Sequence, residues 1–275
     1  MKKSFIAALS LIAIVSLTIF SGCQQVPLTG RQQLLLVSDA DALAIGKQQY
    51  DDTISKSKLS MDPAAKAMTL RVGTRLANAV DTFIKDNKLG SSVPAFNWEF
   101  NVIDDPKTVN AFCLPGGKIA VYTGILPVAK NDSGLAVVLA HEIAHAVAKH
   151  GAERLSQLLL ANYGSVTLAD AMKSEPKQTQ DLLTLAYGVG ANVGILLPYN
   201  RLQESEADHI GLILMARAGY DPREALSFWQ RMEAIESGST PEFLSTHPIT
   251  SERIAAIQNE LPEALKYYKP VKDTK

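Results

Sequence analysis

The chain has 275 residues, with 27 Lys plus Arg against 28 Asp plus Glu and a formal charge of −1. Hydrophobic residues make up 47% and charged residues 20%, which excludes disorder along the whole length and allows one sizeable core or two small ones. There is no basic surplus, so nucleic acid is not an expected partner, and two Cys are too few for a disulfide framework or a Cys-rich metal site.

Met1-Lys2-Lys3 is a basic start, and Phe5 to Phe20 is an uncharged apolar run too short to be read first as a permanent membrane helix. It leads into Phe20-Ser21-Gly22-Cys23, where small residues before a Cys resemble the lipobox of bacterial lipoproteins. On that resemblance residues 1–22 are a signal peptide, Cys23 carries lipid, and Gln24, in place of the retention residue Asp, implies the periplasmic face of the outer membrane. The alternative is an ordinary cleaved signal that leaves a free Cys23, a thiol disfavoured in oxidising compartments. Cys113 is expected to be a small buried hydrophobe.

Residues 23–38 are polar, contain Pro27 and Gly30, and read as a tether before a domain covering 39–275. Ser38-Asp39-Ala40-Asp41 caps a helix running to about Ser57. Asp62-Pro63 starts another, with Leu70, Val72, Leu76, Val80 and Phe83 on its apolar stripe. Trp98, Phe100 and Val102 alternate with polar residues in a strand over Phe96 to Ile103. Ala111 to Leu114 and Ile119 to Tyr122 flank Pro115-Gly116-Gly117 as a hairpin. Asp132-Ser133 caps a helix from Gly134 to His150, stopped by Gly151. Helices follow over Ala152 to about Lys173, Gln178 to Leu197, Gln203 to Ala218, Pro222 to Ile235 and Ser251 to Leu261. The nearly uncharged stretch 182–197 reads as a buried helix or a flap over a site. Few strands among many helices give an α+β class that is predominantly α.

The chemistry lies in His141-Glu142-Ile143-Ala144-His145, which matches H-E-x-x-H. Two His four positions apart are separated by about 40° on a helix, so both imidazoles can meet one cation. Glu142, about 100° round from His141, is placed to take a proton from a water that Zn²⁺ has acidified. No third His stands at the metzincin spacing, so a zinc site needs a downstream carboxylate. Glu204-Ser205-Glu206-Ala207-Asp208 offers Glu204 and Asp208 on one face, the first as ligand and the second as acceptor of a His N–H, while Glu206 points elsewhere. The bland alternative is a solvated acidic helix start. On the same helical wheel His150 lies about 140° from His145, facing away from the metal, and His209 is structural or exposed.

These residues resemble the gluzincin zinc metallopeptidase family that includes the CAAX prenyl protease, the HtpX membrane protease, the mitochondrial stress protease Oma and the bacterial lipoproteins BepA and LoiP. The matching pieces are Val26 to Arg31, Asn110-Ala111-Phe112, Leu114 to Gly117, His141 to His145, Glu204 to Asp208 and Ser245-Thr246-His247-Pro248. The resemblance implies a zincin-like domain with a small sheet or hairpin beside the H-E-x-x-H helix. It implies one Zn²⁺ per chain on His141, His145 and Glu204, with Glu142 catalytic and Asp208 behind the ligands. It also implies an endopeptidase acting on misfolded or stalled polypeptides of the bacterial envelope. A rival is a chaperone-like adaptor for the outer-membrane assembly machinery with a latent zinc site. Asn110, Ala111 and Phe112 are either a strand edge for substrate or a structural cover. His247 either occupies the open zinc position as a gate, as its counterpart does in some relatives, or caps the helix near Ser251; Arg253 can pair with an acid.

Overall fold

The computed structural model describes residues 23–171, 201–236 and 241–270. The expected helix over 178–197, and with it the flap, lies outside the described residues, as does the leader over 1–22. Two compact units divide the chain, one formed by 1–38 with 152–197 and the other by 39–151 with 198–275. Among the described residues no helix is long and apolar enough to cross a membrane.

In the first unit, the stretch expected to be irregular contains two short strands. β1 (Cys23–Gln25) pairs antiparallel with β2 (Gln32–Leu34), placing Cys23 opposite Leu34. Arg31 forks onto Glu153 at 2.7 and 2.8 Å, and Ser156 Oγ accepts the Leu36 N–H at 2.8 Å. Both partners belong to helix α5 (His150–Ala171).

The second unit begins with α1 (Asp39–Lys56) and α2 (Pro63–Asp86), which start where the sequence signals place them. The Asp62 side chain accepts the Ala64 N–H, and Pro63 takes the first turn, where its missing N–H costs nothing. Val72, Leu76, Val80 and Phe83 of α2 are buried, but Leu70 is exposed; Thr69 and Gly73 occupy the inner face instead.

β3 (Glu99–Ile103), β4 (Ala111–Leu114) and β5 (Lys118–Tyr122) form one sheet in the order β3-β5-β4. β5 is central and fully apolar inward, with Ile119, Ala120 and Val121 completely buried. It runs parallel to β3 and closes the expected hairpin with β4. Gly116 (φ 86°) and Gly117 (φ 79°) make that turn, in a region where a side chain would be strained. β4 is thus an edge strand, and it packs against the helix that carries the H-E-x-x-H motif.

That helix, α4 after the short α3 (Leu126–Ala129), spans Asp132–Val147. It is capped one residue earlier than expected, by Asn131 accepting the Gly134 N–H at 3.0 Å. From Gly134 to His145 every residue is buried, so α4 is the core of the unit and not an amphipathic surface helix. It also stops sooner than expected. Lys149 adopts φ 59°, breaking the helix before His150, and its ammonium forks onto Asp39 at 2.7 and 2.9 Å.

α6 (Arg201–Arg217) lies against α4. Gly211 makes this possible, because a Cβ there would sit 3.2 Å from the backbone of Ala140 and His141. α7 (Glu224–Glu236), α8 (Glu242–Thr246) and α9 (Ser251–Ala264) complete the unit. Thr250 caps α9 by accepting the Arg253 N–H at 3.2 Å, so His247 is not the cap of that helix. The whole is α+β and predominantly α, with the small sheet beside the motif helix.

Candidate metal centre

α4 supplies His141 and His145 one turn apart, α6 supplies Glu204, and the loop after α8 supplies His247. All four are buried, and one ligand atom from each lies within 4.8 Å of the others. His141 Nε2 stands 3.1 Å from His145 Nε2, 3.2 Å from His247 Nδ1 and 3.5 Å from Glu204 Oε2. Glu204 Oε1 is 3.3 Å from His145 Nε2 and 2.8 Å from His247 Nδ1.

The surroundings show which of these atoms carry lone pairs. His141 Nδ1 faces Asp208 Oδ1 at 3.0 Å, so an ion that displaces the proton of Nε2 would leave the ring's other proton on Nδ1, toward that carboxylate. Two bare imidazole nitrogens and a carboxylate at such range repel one another unless a cation or a shared proton lies between them. A tetrahedral ion with bonds of about 2.0–2.1 Å sets its ligands about 3.3 Å apart, which is the spacing found here. The donor set therefore fits a divalent metal ion.

Charge follows the same geometry. Burial opposes protonation of His141, but the Glu204 and Asp208 carboxylates outweigh it and raise its pKa to about 9. Burial pushes His145 well below its usual value. Burial would lift Glu204, yet His141, His145 and His247 hold it well below the usual carboxylate range. Asp208 is likewise lowered, with the Arg253 guanidinium overcoming burial. Glu142 goes the other way: burial, helped by the Glu204 carboxylate, raises it against the pull of His247 and His141, the direction that suits a group exchanging protons near neutral pH. Its carboxylate accepts the backbone N–H of Cys113 from β4 and lies 3.3 Å from His247 Nε2. Cys113 is buried as expected, and burial pushes its thiol up.

Three features go beyond the sequence expectations or against them. Arg253 is buried and bidentate to Asp208 at 2.6 and 2.9 Å, reaches Glu204 Oε2 at 2.7 Å, and donates to the Pro248 carbonyl at 3.1 Å. Trp229 lies under it, with the guanidinium carbon 4.1 Å from the ring centroid. His150 does not face away from His145, because the break at Lys149 voids the wheel; the two Nδ1 atoms are 2.8 Å apart. Glu206, expected to point elsewhere, is buried with its carboxylate 3.0 Å from His150 Nε2. His209 is held at the surface by Glu260 at 2.7 Å.

An H-E-x-x-H helix faced by a buried glutamate on a second helix, with a metal-ready donor set between them, defines a metallopeptidase. The chain belongs to peptidase family M48, whose model matches residues 74–261, and it is a metalloendopeptidase of that family. It is 38% identical to the mitochondrial metalloendopeptidase OMA1 of Schizosaccharomyces pombe, over 93% of this chain and 71% of that protein. It is 31% identical to the mitochondrial metalloendopeptidase OMA1 of Saccharomyces cerevisiae, over 92% of this chain and 73% of that protein. The Beta-barrel assembly-enhancing protease of Escherichia coli is 31% identical over only 55% of this chain and 32% of its own length.

These relatives correct two expectations. The bacterial envelope quality-control function, together with its adaptor rival, is overturned, because the proteins that match nine-tenths of this chain are mitochondrial metalloendopeptidases. The outer-membrane, periplasmic placement falls for the same reason. It rested on a short N-terminal motif, whereas the resemblance to the eukaryotic enzymes runs through almost the entire chain.

Proposed function

We propose that this chain is a zinc endopeptidase, with one zinc held by His141 Nε2, His145 Nε2 and Glu204, within a catalytic domain covering residues 39–275. The observation that supports this is the spacing of those atoms, 3.1 to 3.5 Å, on two helices that bury all three side chains. Zinc bound there supplies a Lewis acid that polarises a peptide carbonyl and acidifies a water. Glu142 is the general base: its carboxylate takes the proton of the attacking water and returns it to the leaving amine. Asp208 holds His141 by its Nδ1 proton, and Arg253 holds Asp208.

His247 is the gate of this centre. Its Nδ1 stands among the ligand atoms, 3.2 Å from His141 Nε2 and 2.8 Å from Glu204 Oε1, while its Nε2 lies 3.3 Å from Glu142 Oε1. One ring thus takes the place a catalytic metal keeps open for water and also engages the base. Cleavage requires the loop after α8 to carry His247 aside.

Polypeptide substrate adds along the outer edge of β4. Asn110 O accepts the Tyr122 N–H from β5, so alternation turns the backbone of Ala111 and Cys113 outward, with Phe112 between them. Cys113 N–H already meets Glu142, which places this edge beside the base. Replacing Glu142 with Gln tests the reading: zinc and fold should be kept while cleavage of an unfolded polypeptide such as casein is lost. Undiminished cleavage would remove Glu142 as the base.

A further inference from the structure

Behind His145, on the side away from the ligand cluster, lies a chain of buried polar groups. His145 Nδ1 is 2.8 Å from His150 Nδ1, and His150 Nε2 is 3.0 Å from Glu206 Oε2. His150 is fully buried, His145 is 2% exposed and Glu206 6%. The direction of each hydrogen bond follows from the two ends. The Glu206 carboxylate only accepts, so His150 must donate from Nε2, since a bare Nε2 would put two lone pairs 3.0 Å apart. At the other end, His145 can offer a lone pair on Nε2 to a cation only with its proton on Nδ1, so His150 Nδ1 must be bare to accept it. His145 Nε2 is left as a lone pair, and it is this nitrogen that stands 3.1 Å from His141 Nε2 and 3.3 Å from Glu204 Oε1.

The backbone is shaped to permit this. On a continuous helix His150 would point about 140° away from His145. Lys149 takes a left-handed φ of 59°, uncommon for a residue with a side chain, and its ammonium is fixed to Asp39. The chain therefore turns at Lys149, and α5 starts with His150 folded back on the preceding helix.

We infer that His150 and Glu206 are positioning residues of the metal centre, fixing the Nδ1–H tautomer of His145 and aiming its Nε2 at the ion. The inference rests on the zinc reading above. It makes the two imidazoles unlike: His141 is anchored directly by a carboxylate that a buried arginine holds, His145 through a second imidazole.

The test is the zinc dissociation constant of the full chain, measured by competition with a chelator, for wild type, His150→Ala, His150→Gln and Glu206→Gln. Thermal unfolding of each metal-free protein is recorded alongside. Losing an anchor of this kind weakens metal binding by about 10–100-fold, expected for His150→Ala and at the lower end for Glu206→Gln. His150→Gln should recover about tenfold of that loss, because its amide oxygen accepts from His145 while its NH₂ donates to Glu206. A purely structural role would lower the unfolding temperature without this order of affinities. Wild-type affinity in the folded variants overturns the inference. Should His150→Ala fail to fold, Glu206→Gln, which preserves shape, decides alone. If wild type takes up no zinc, the metal reading itself fails and the inference with it; if wild type binds and the variants bind equally, only the inference falls.

Discussion

An arginine grips an aspartate twice in this molecule with the same fork. Arg71 on α2 meets Asp132 through Nε and Nη2 at 2.6 and 2.6 Å, and Arg253 on α9 meets Asp208 through the same atoms at 2.6 and 2.9 Å. The first pair is half open to solvent, with side-chain exposures of 48% and 30%; the second is shut in, at 7% each. Geometry does not separate them; what surrounds them does. The surface fork joins two elements where water screens both charges. The buried fork has lost its water and is balanced only by its neighbours: His141, Glu204, the Pro248 carbonyl and the face of Trp229. Every charge in that set is conditional on the others, so removing one exposes the rest.

The largest effect expected from the buried region is catalytic. Glu142→Gln removes the base while preserving shape, and should lower the rate of casein cleavage by about 10²–10⁴-fold with metal content unchanged. Retained activity would show that the buried carboxyl beside His247 is not the base. Next comes Arg253→Leu. It leaves Asp208 as an uncompensated buried charge and should cost about 3–5 kcal/mol in stability, read as a fall in the unfolding midpoint. A loss no larger than that of Arg71→Leu would break the contrast between the two forks.

His247→Ala should raise cleavage of unfolded protein, because the position open to water and the Glu142 carboxylate are both released. Equal or lower activity with full metal content would reject the gate. A pH effect follows. In the metal-free protein His141 holds its proton up to about 9, above its ordinary 6.5, so zinc must displace that proton below pH 9. Zinc affinity should climb from pH 7 toward 9. The stability of the metal-free protein should move oppositely: a raised pKa contributes fully below 6.5 and is lost as pH rises through 9. Calorimetric titration and thermal melts across that range check both signs. The smallest effect belongs to the surface fork, where Arg71→Leu should cost under about 1 kcal/mol and less at high salt.

Local signals in the sequence carried far. Asp62-Pro63 marked the start of α2, Gly116-Gly117 marked the hairpin, and the histidine spacing on α4 marked one half of the centre. Glu204 and Asp208 were legible as a pair because four positions put them on one face. Other features left no local mark. Lys149 breaks α4 with a left-handed backbone at a residue whose identity gives no warning, so helical periodicity runs on to His150 and aims that imidazole wrongly. Glu206 lies across the helix from Glu204, which takes it out of the site only when one face of the helix sees solvent. Both faces of α6 are buried there, and each carboxylate has its own partner. Arg253 reads as a charge that needs an acid, but which acid depends on how α9 crosses α6, a fact of packing with no local signature.

The central claim is that His141, His145 and Glu204 together hold one zinc ion. Metal analysis of the purified full chain and of Glu204→Ala, both shown to be folded, tests it most directly. One zinc per chain is expected in the wild type and little in the variant; equal zinc in the two proteins, or none in the wild type after reconstitution, would overturn this ligand set.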